Sequence, residues 1–203
     1  MPAVSVTSSY NRSVNDITLL ANYIVGTTAL EAKYQYMISE VVMLRLFSIM
    51  ESTFAEVAFK LACGATYRNG NNPVILRRCR SILDAYSNML SHNRTRSLRY
   101  LQWTKATFVK DSIEHILDLT DHFYINLQNH SVIINEMRIV RNHIAHRSSS
   151  TRQDYIALLR TKYGGNPNLT IGAFLTSTNR NPTSNISSYI QTTRIVLNDI
   201  TNG

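Results

Sequence analysis

The sequence predicts an all-α protein, a bundle of helices within a single domain. Apolar residues recur at three- and four-residue spacing through most of the chain. The stretch from Thr28 to Ala62 contains neither Gly nor Pro. Extended character is confined to one ambiguous piece near 169–176. At 203 residues and 44% hydrophobic, the chain can bury a core and suits one domain spanning 1–203.

Taken in order, residues 1–12 read as poorly ordered. Ser13-Val14-Asn15-Asp16 resembles a capping box, so a short helix is expected from there to Val25, broken at Gly26. Thr28-Ala29-Leu30-Glu31 is a second cap, opening a long helix that reaches Ala62 ahead of Gly64. That helix is apolar on more than one side, which marks a central element. Phe47, Glu51, Phe54, Ala58 and Leu61 form one of its stripes. A carboxylate inside an apolar stripe needs a cationic or hydrogen-bonding mate. Alternatively, Glu51 sits at the stripe's edge and reaches water.

Tyr67 to Pro73 is a turn-rich break, followed by a predicted helix over 74–90 with Leu76, Cys79, Leu83, Tyr86 and Leu90 on one face. A further helix is expected over 108–119, with His115 and His122 as surface or capping residues. A turn before Ser131 leads into a helix whose core side carries Ile133, Met137, Val140 and Ile144. Thr151-Arg152-Gln153-Asp154 is a capping box for a helix through Tyr163, stopped by Gly164-Gly165 and a turn at Asn166-Pro167. The piece over 169–176 reads as a short strand or an extended connector, and 179–185 as a loop. Ile186, Ile190, Thr193, Leu197 and Ile200 mark a final helix.

The net charge of +8 suggests an acidic partner, nucleic acid before membrane. The excess is concentrated. Residues 66–105 carry eight cations (Arg68, Arg77, Arg78, Arg80, Arg94, Arg96, Arg99 and Lys105) against Asp84 alone, leaving seven positive charges. Tyr67, Tyr86, Tyr100 and Trp103 are interleaved with them. Clustered arginines with aromatics suit phosphates and unstacked bases, so Arg77, Arg78, Arg80, Arg94, Arg96 and Arg99 are candidate RNA-binding residues. The competing reading is a solvated helix face above core aromatics. Cys63 and Cys79 lack metal-ligand spacing and read as reduced core or near-core thiols of a cytoplasmic protein. No Cys/His/Asp set has zinc-type spacing, and no cofactor or metal is expected. The first ten residues do not have the form of a signal peptide, and no apolar run approaches the roughly 20 residues of a membrane span.

The richest stretch is Met137 to Arg147. Arg138 and His143 repeat the spacing of Arg141 and His146. Arg–x4–His alone is a weak signal. The string Arg141-Asn142-His143-Ile144-Ala145-His146, at the end of an amphipathic helix and followed by a polar turn and a capped helix, is more specific. It resembles the signature of the HEPN superfamily of helical ribonucleases and RNA-binding domains. The long early helix with an acidic residue fits that layout. The resemblance spans 28–163 in layout and is specific at 141–146. It is nearest to stand-alone bacterial HEPN proteins of toxin–antitoxin, phage-defence or RNA-repair systems. It implies a HEPN-type bundle in which 66–105 is a basic helical insertion. It also implies a homodimer with facing motifs and metal-independent cleavage of single-stranded RNA. A cognate antitoxin or other partner protein fits the same setting. By position, Arg141, Asn142 and His146 match the family's catalytic residues, while His143 and Arg138 lie outside the shared pattern.

The chemistry supports this reading independently. RNA carries its own nucleophile, the 2′-OH. Cleavage needs a base for that proton, an acid for the departing 5′-oxygen, and positive charge near the phosphate. His146 can serve as base or acid, and two copies in a dimer can serve as both. Arg141 would hold the phosphate, Asn142 would orient His146, and Glu51 would pair with Arg141, with His143 and Arg138 in support. Arg141 and His146 are five residues apart, roughly 140° around a helix, so they flank a groove. The alternative is a non-catalytic RNA-binding or regulatory helical dimer. A third reading makes the motif ordinary helix-end chemistry in a structural protein.

Overall fold

The computed structural model describes residues 5–165, 168–179 and 182–203. Among them the chain is all-α. The helices are α1 (Thr7–Gly26), α2 (Ala32–Ala62), α3 (Ile82–Ser91), α4 (Ala106–Ile113), α5 (His122–Asn129), α6 (Ser131–His146), α7 (Ser149–Tyr163), α8 (Ile171–Thr176) and α9 (Asn185–Asn202). Two isolated backbone bridges, Ser5 with Thr66 and Ile75 with Leu117, are the only extended pairings described. No helix among the described residues is long and apolar enough to cross a membrane.

Several boundaries differ from the expected ones. α1 opens at Thr7, so the expectation of poor order over 1–12 fails for residues 7–12. Ser13 is not a cap. It lies inside the helix, its hydroxyl bonded to the Ser9 carbonyl at 2.9 Å and to Thr53 Oγ1 at 2.7 Å. Residues 1–4 and the turn at Asn166-Pro167 lie outside the described residues, as do 180–181 of the expected loop.

The predicted helix over 74–90 is only α3. Upstream of it, the amides of Leu76 and Arg77 donate to the Ile116 carbonyl and that of Cys79 to the Ala62 carbonyl, in place of helical bonds. Ser81 caps α3 by accepting from the Asp84 amide, and Asp84 Oδ2 accepts from the Arg80 amide at 2.7 Å. This reciprocal cap fixes the start at Ile82. The buried face is Ala85 and Met89; Leu83 is 75% exposed. The 108–119 helix shortens to α4, and α5 appears where a turn was expected, capped by the Asp121 side chain. The start of α7 moves from Thr151 to Ser148, whose hydroxyl accepts from the Thr151 amide. Residues 171–176 are helix α8, not an extended segment. Thr170 caps it, and Ile171, Phe174 and Leu175 bury at helical spacing.

The chain divides into two compact units, with the divisions falling inside α1, α2, α6 and α9. The first comprises Met1–Val14, Met50–Ile134 and Ile195–Gly203. Its buried side chains include Phe54, Leu61, Met89, Ile113, Phe123 and Leu197. At its centre Asp121, 1% exposed, accepts from the Tyr67 hydroxyl and from the amides of Phe123 (3.0 Å) and Val74 (2.7 Å).

The second unit comprises Asn15–Ile49 and Asn135–Arg194. It buries Met43, Leu46, Phe47, Met137, Val140 and Ile190. An aromatic cluster links its later helices: Phe174 meets Tyr155, Tyr163 and Tyr189 with ring centroids 5.9, 6.2 and 6.4 Å away. Glu136 accepts from the Tyr189 hydroxyl at 2.5 Å and pairs with Lys162 at 2.7 Å. This carboxylate and the burial of Tyr189 both push its hydroxyl pKa well up, so it stays a neutral donor.

Candidate functional site

The motif occupies the end of α6, in the second unit. Met137 and Val140 anchor this part of the helix in the unit's core, and Ile144 is only half-buried; in the first-unit turn of α6, Ile134 is buried and Ile133 half-buried. The core stripe is therefore turned slightly from the expected one. α6 runs unbroken to His146, so Arg141 and His146 diverge around its axis as an ideal helix requires. His146 is the last helical residue and is exposed. Arg147 then takes a left-handed conformation, φ +46°, and the chain leaves the axis. Its guanidinium reaches Glu40 Oε2 at 3.3 Å.

Arg141 is half-buried, its guanidinium 5.9 Å from the Phe47 ring centroid. Its Nη1 donates to Asn142 Oδ1 at 3.1 Å. The Asn142 carbonyl thus engages Arg141, whereas the sequence suggested that Asn142 would orient His146. Arg138 donates twice to Asn135 Oδ1, at 3.1 and 3.0 Å, within its own helix.

His143 is the best-held member of the stretch. Its ring stacks on Tyr155 with centroids 5.1 Å apart, and Nδ1 meets Thr151 Oγ1 at 3.2 Å. Burial holds its pKa below the ordinary histidine range. The positive charges of Arg147 and Arg152 act in the same direction, and Glu40 opposes them. The imidazole is therefore neutral at neutral pH. A cavity of about 210 Å³ opens beside it, lined among others by Arg152, Tyr155, Asn168 and Thr170. None of these flanking groups was singled out from the sequence. Thr151 and Tyr155 lie eight and twelve residues beyond His143, a separation that carries no helical signal once the turn at Arg147 and Ser148 intervenes.

The basic segment and Glu51 belong to the first unit. Arg77, Arg78, Arg80, Arg96 and Arg99 are exposed. Arg94 is not. Its side chain is 8% exposed, pairs with Glu114 at 3.2 Å and donates to the Met89 carbonyl at 3.0 Å. It is a structural tie and leaves the candidate RNA-binding set. Tyr67 leaves the stacking set for the same reason, being 1% exposed and bonded to Asp121. Arg68 is also engaged, 2.9 Å from Asn198 Oδ1 and stacked over the Tyr10 ring. Tyr86 and Tyr100 remain open at 40% and 58%. Cys63 and Cys79 are buried free thiols, Cys79 pushed up to about 11 chiefly by burial, which makes both poor nucleophiles.

Glu51 is half-buried and lines a cavity of about 460 Å³ with residues of the 100–104 segment. Comparison with protein-family models, with curated proteins and with solved structures gives no match.

Proposed function

We propose that the protein is a metal-independent endoribonuclease of HEPN type, acting as a homodimer on single-stranded RNA. The observation that carries this reading is the Arg141–His146 string at the end of a core-anchored helix, with Arg141 held by Asn142 and His146 exposed at the helix terminus. In the proposed reaction the 2′-oxygen attacks phosphorus and the bond to the 5′-oxygen breaks. One His146 takes the 2′-OH proton, and the partner copy's gives a proton to the leaving oxygen. Arg141 neutralises charge building on the non-bridging oxygens. His143, neutral and stacked, supports the helix end that presents His146. The products carry a 2′,3′-cyclic phosphate and a 5′-hydroxyl.

A dimer is supported by an apolar stripe left open on α2. Tyr34, Met37 and Val41 follow one another at helical spacing and are 45, 59 and 61% exposed. Five exposed arginines and two open tyrosines in the first unit support RNA contact. That basic surface alone favours a second reading, a dimer that binds RNA without turnover.

The deciding experiment is cleavage of labelled single-stranded RNA in EDTA by the wild type, His146→Ala and Arg141→Ala. Cutting by the wild type alone, with binding retained in both variants, supports the enzyme. No cutting with equal binding by all three makes the protein a binding module.

A further inference from the structure

The segment 76–86 of the first unit carries a surface that its apolar period conceals. Leu76, Leu83 and Tyr86 share a spacing that predicts burial, yet the helix opens only at Ile82 and all three face outward. Leu83 is 75% exposed, Leu76 57%, Ile82 45% and Tyr86 40%. On α3, Tyr86 follows Ile82 by four residues and Leu83 by three, so the three share one flank beside the buried Ala85 and Met89. Apolar residues exposed singly are ordinary; a group of them marks an interaction surface. Arg77, Arg78 and Arg80 lie exposed among them, and Arg78 packs its guanidinium over Gly64, just past the end of α2. The one acid of the segment, Asp84, is turned into the helix cap. Its Oδ2 accepts from the Arg80 amide and its Oδ1 from Asn88 Nδ2, both at 2.7 Å. Upstream, the Val74 carbonyl accepts from the Asp118 amide, which brings an acidic residue to that end and bounds the cationic surface at Leu76.

We propose that this segment docks on an anionic membrane surface, its aliphatic side chains entering the acyl boundary and its arginines resting on lipid phosphates. Attachment in the plane of a membrane needs apolar side chains flanked by cations, and no spanning helix. Three guanidiniums with no open carboxylate among them complement an anionic leaflet. Each can pair with phosphate through its planar fork while its stem lies along apolar surface. Tyr86 suits the headgroup layer, where aromatic rings with a polar tip collect. RNA would account for the arginines but not for Leu76, Ile82 and Leu83, because bases stack on aromatic rings. A protein partner fits less well. The anchors of protein interfaces are chiefly Trp, Tyr and Arg, with Leu under-represented. Such a partner would also have to supply a recess for Leu83, whereas a fluid bilayer needs none. The inference goes beyond the ribonuclease reading and stands whether or not the chain cuts RNA.

The test is co-sedimentation of the full chain with vesicles of phosphatidylcholine, alone or with about 30% phosphatidylglycerol. The anionic vesicles should bind at least about tenfold more tightly, and less so as salt rises. Arg77→Gln and Arg80→Gln should each weaken that binding about fivefold. Leu83→Ser should weaken it about tenfold through lost apolar contact and leave binding of a uridine decamer unchanged. Cys63 and Cys79 are buried, so Leu83→Cys supplies the accessible thiol for a nitrobenzoxadiazole label, whose emission should move to the blue on anionic vesicles. Failure to bind anionic vesicles overturns the proposal. Vesicle binding that Leu83→Ser leaves intact, or a label whose emission does not move, also overturns it, because charge alone would then hold the chain. A Leu83→Ser loss as large for the decamer as for vesicles assigns the surface to RNA instead. An amphipathic peptide of Leu and Glu that binds through Leu83 while vesicles do not assigns it to an acidic protein partner, and equally removes the membrane.

Discussion

His143 stacks on Tyr155 with the two ring planes 27° apart, and this pair ties the end of α6 to the first half of α7. Half-buried His143, three residues before the exposed helix end, is thus packed against the core of its unit, since Tyr155 is 3% exposed. The Tyr155 hydroxyl donates to the carbonyls of Leu169 and Thr170 at 3.3 Å, so the same pair also holds the approach to α8. Aromatic pairs of this kind contribute about 0.5–1.5 kcal/mol beyond their burial.

His143→Phe should keep the stack and remove a titrating group. The folded-state pKa of His143 is lowered, so the unfolded chain takes up its proton more readily. The associated stability is present above the ordinary histidine pKa of about 6.5 and is lost as pH falls below it. Thermal midpoints measured from pH 8 to pH 5 should therefore fall less steeply for the variant than for the wild type. Parallel curves would mean that the imidazole titrates alike in both states.

Asp121→Ala should be among the most damaging changes in the first unit. It removes the cap of α5 and strands the Tyr67 hydroxyl and the Val74 and Phe123 amides. Together these should cost about 3–5 kcal/mol in urea unfolding. Tyr67→Phe leaves the carboxylate its two amide donors and should cost about 1–2 kcal/mol. The opposite order would show that the hydroxyl, not the carboxylate, organises this centre.

The basic surface divides into two kinds of arginine. Arg77→Ala, Arg80→Ala, Arg96→Ala and Arg99→Ala should each weaken RNA binding and lower the salt slope by about one, with stability unchanged to about 0.5 kcal/mol. Arg94→Ala should do the reverse. It leaves Glu114 without its 3.2 Å partner and opens a site where the side chain is 8% exposed, so it lowers the unfolding midpoint and barely changes the salt slope. Filter binding from 50 to 300 mM salt beside thermal unfolding separates the two.

The split was invisible in the sequence because Arg94 and Arg96 occupy the same kind of polar turn, and only the fold brings Glu114 to one of them. Long periodic helices were legible. The spacing of Ile186, Ile190, Thr193, Leu197 and Ile200 alone placed the buried face of α9, and all five are 3% exposed or less. Over 74–81 the same reasoning failed, because Leu76 and Cys79 continue the apolar period across a segment whose amides pair with distant carbonyls. At the motif, the residues and their helix were readable. The His143–Tyr155 stack and the Arg147–Glu40 pair are tertiary contacts that no local spacing encodes.

The proposed dimerisation through α2 gives a further test. Met37→Glu puts a charge on a stripe residue that is 59% exposed, where Glu is a good helix former. The monomer fold should persist by circular dichroism. Sedimentation should shift from dimer to monomer, and cleavage should fall at least tenfold at low protein concentration, since each site would lack its second His146. A wild-type dimer that the variant leaves intact would move the interface elsewhere.

Gly172 offers the sharpest contrast between propensity and packing. It lies in α8, where replacing Gly by Ala would ordinarily favour a helix by up to about 1 kcal/mol. A Cβ there would stand 2.3 Å from Tyr36 Cβ and 2.9 Å from Tyr36 Cα. The second of these is backbone, so no rotation of the tyrosine relieves it. Overpacking should win, and Gly172→Ala should lose about 2–3 kcal/mol. Gly26, the last residue of α1, has nothing within 4 Å of its ideal Cβ position and no positive φ. Gly26→Ala should be neutral or stabilising by up to about 1 kcal/mol. Urea unfolding of the two variants reads both signs in one experiment, and a neutral Gly172→Ala would mean that α8 slides away from Tyr36 at little cost.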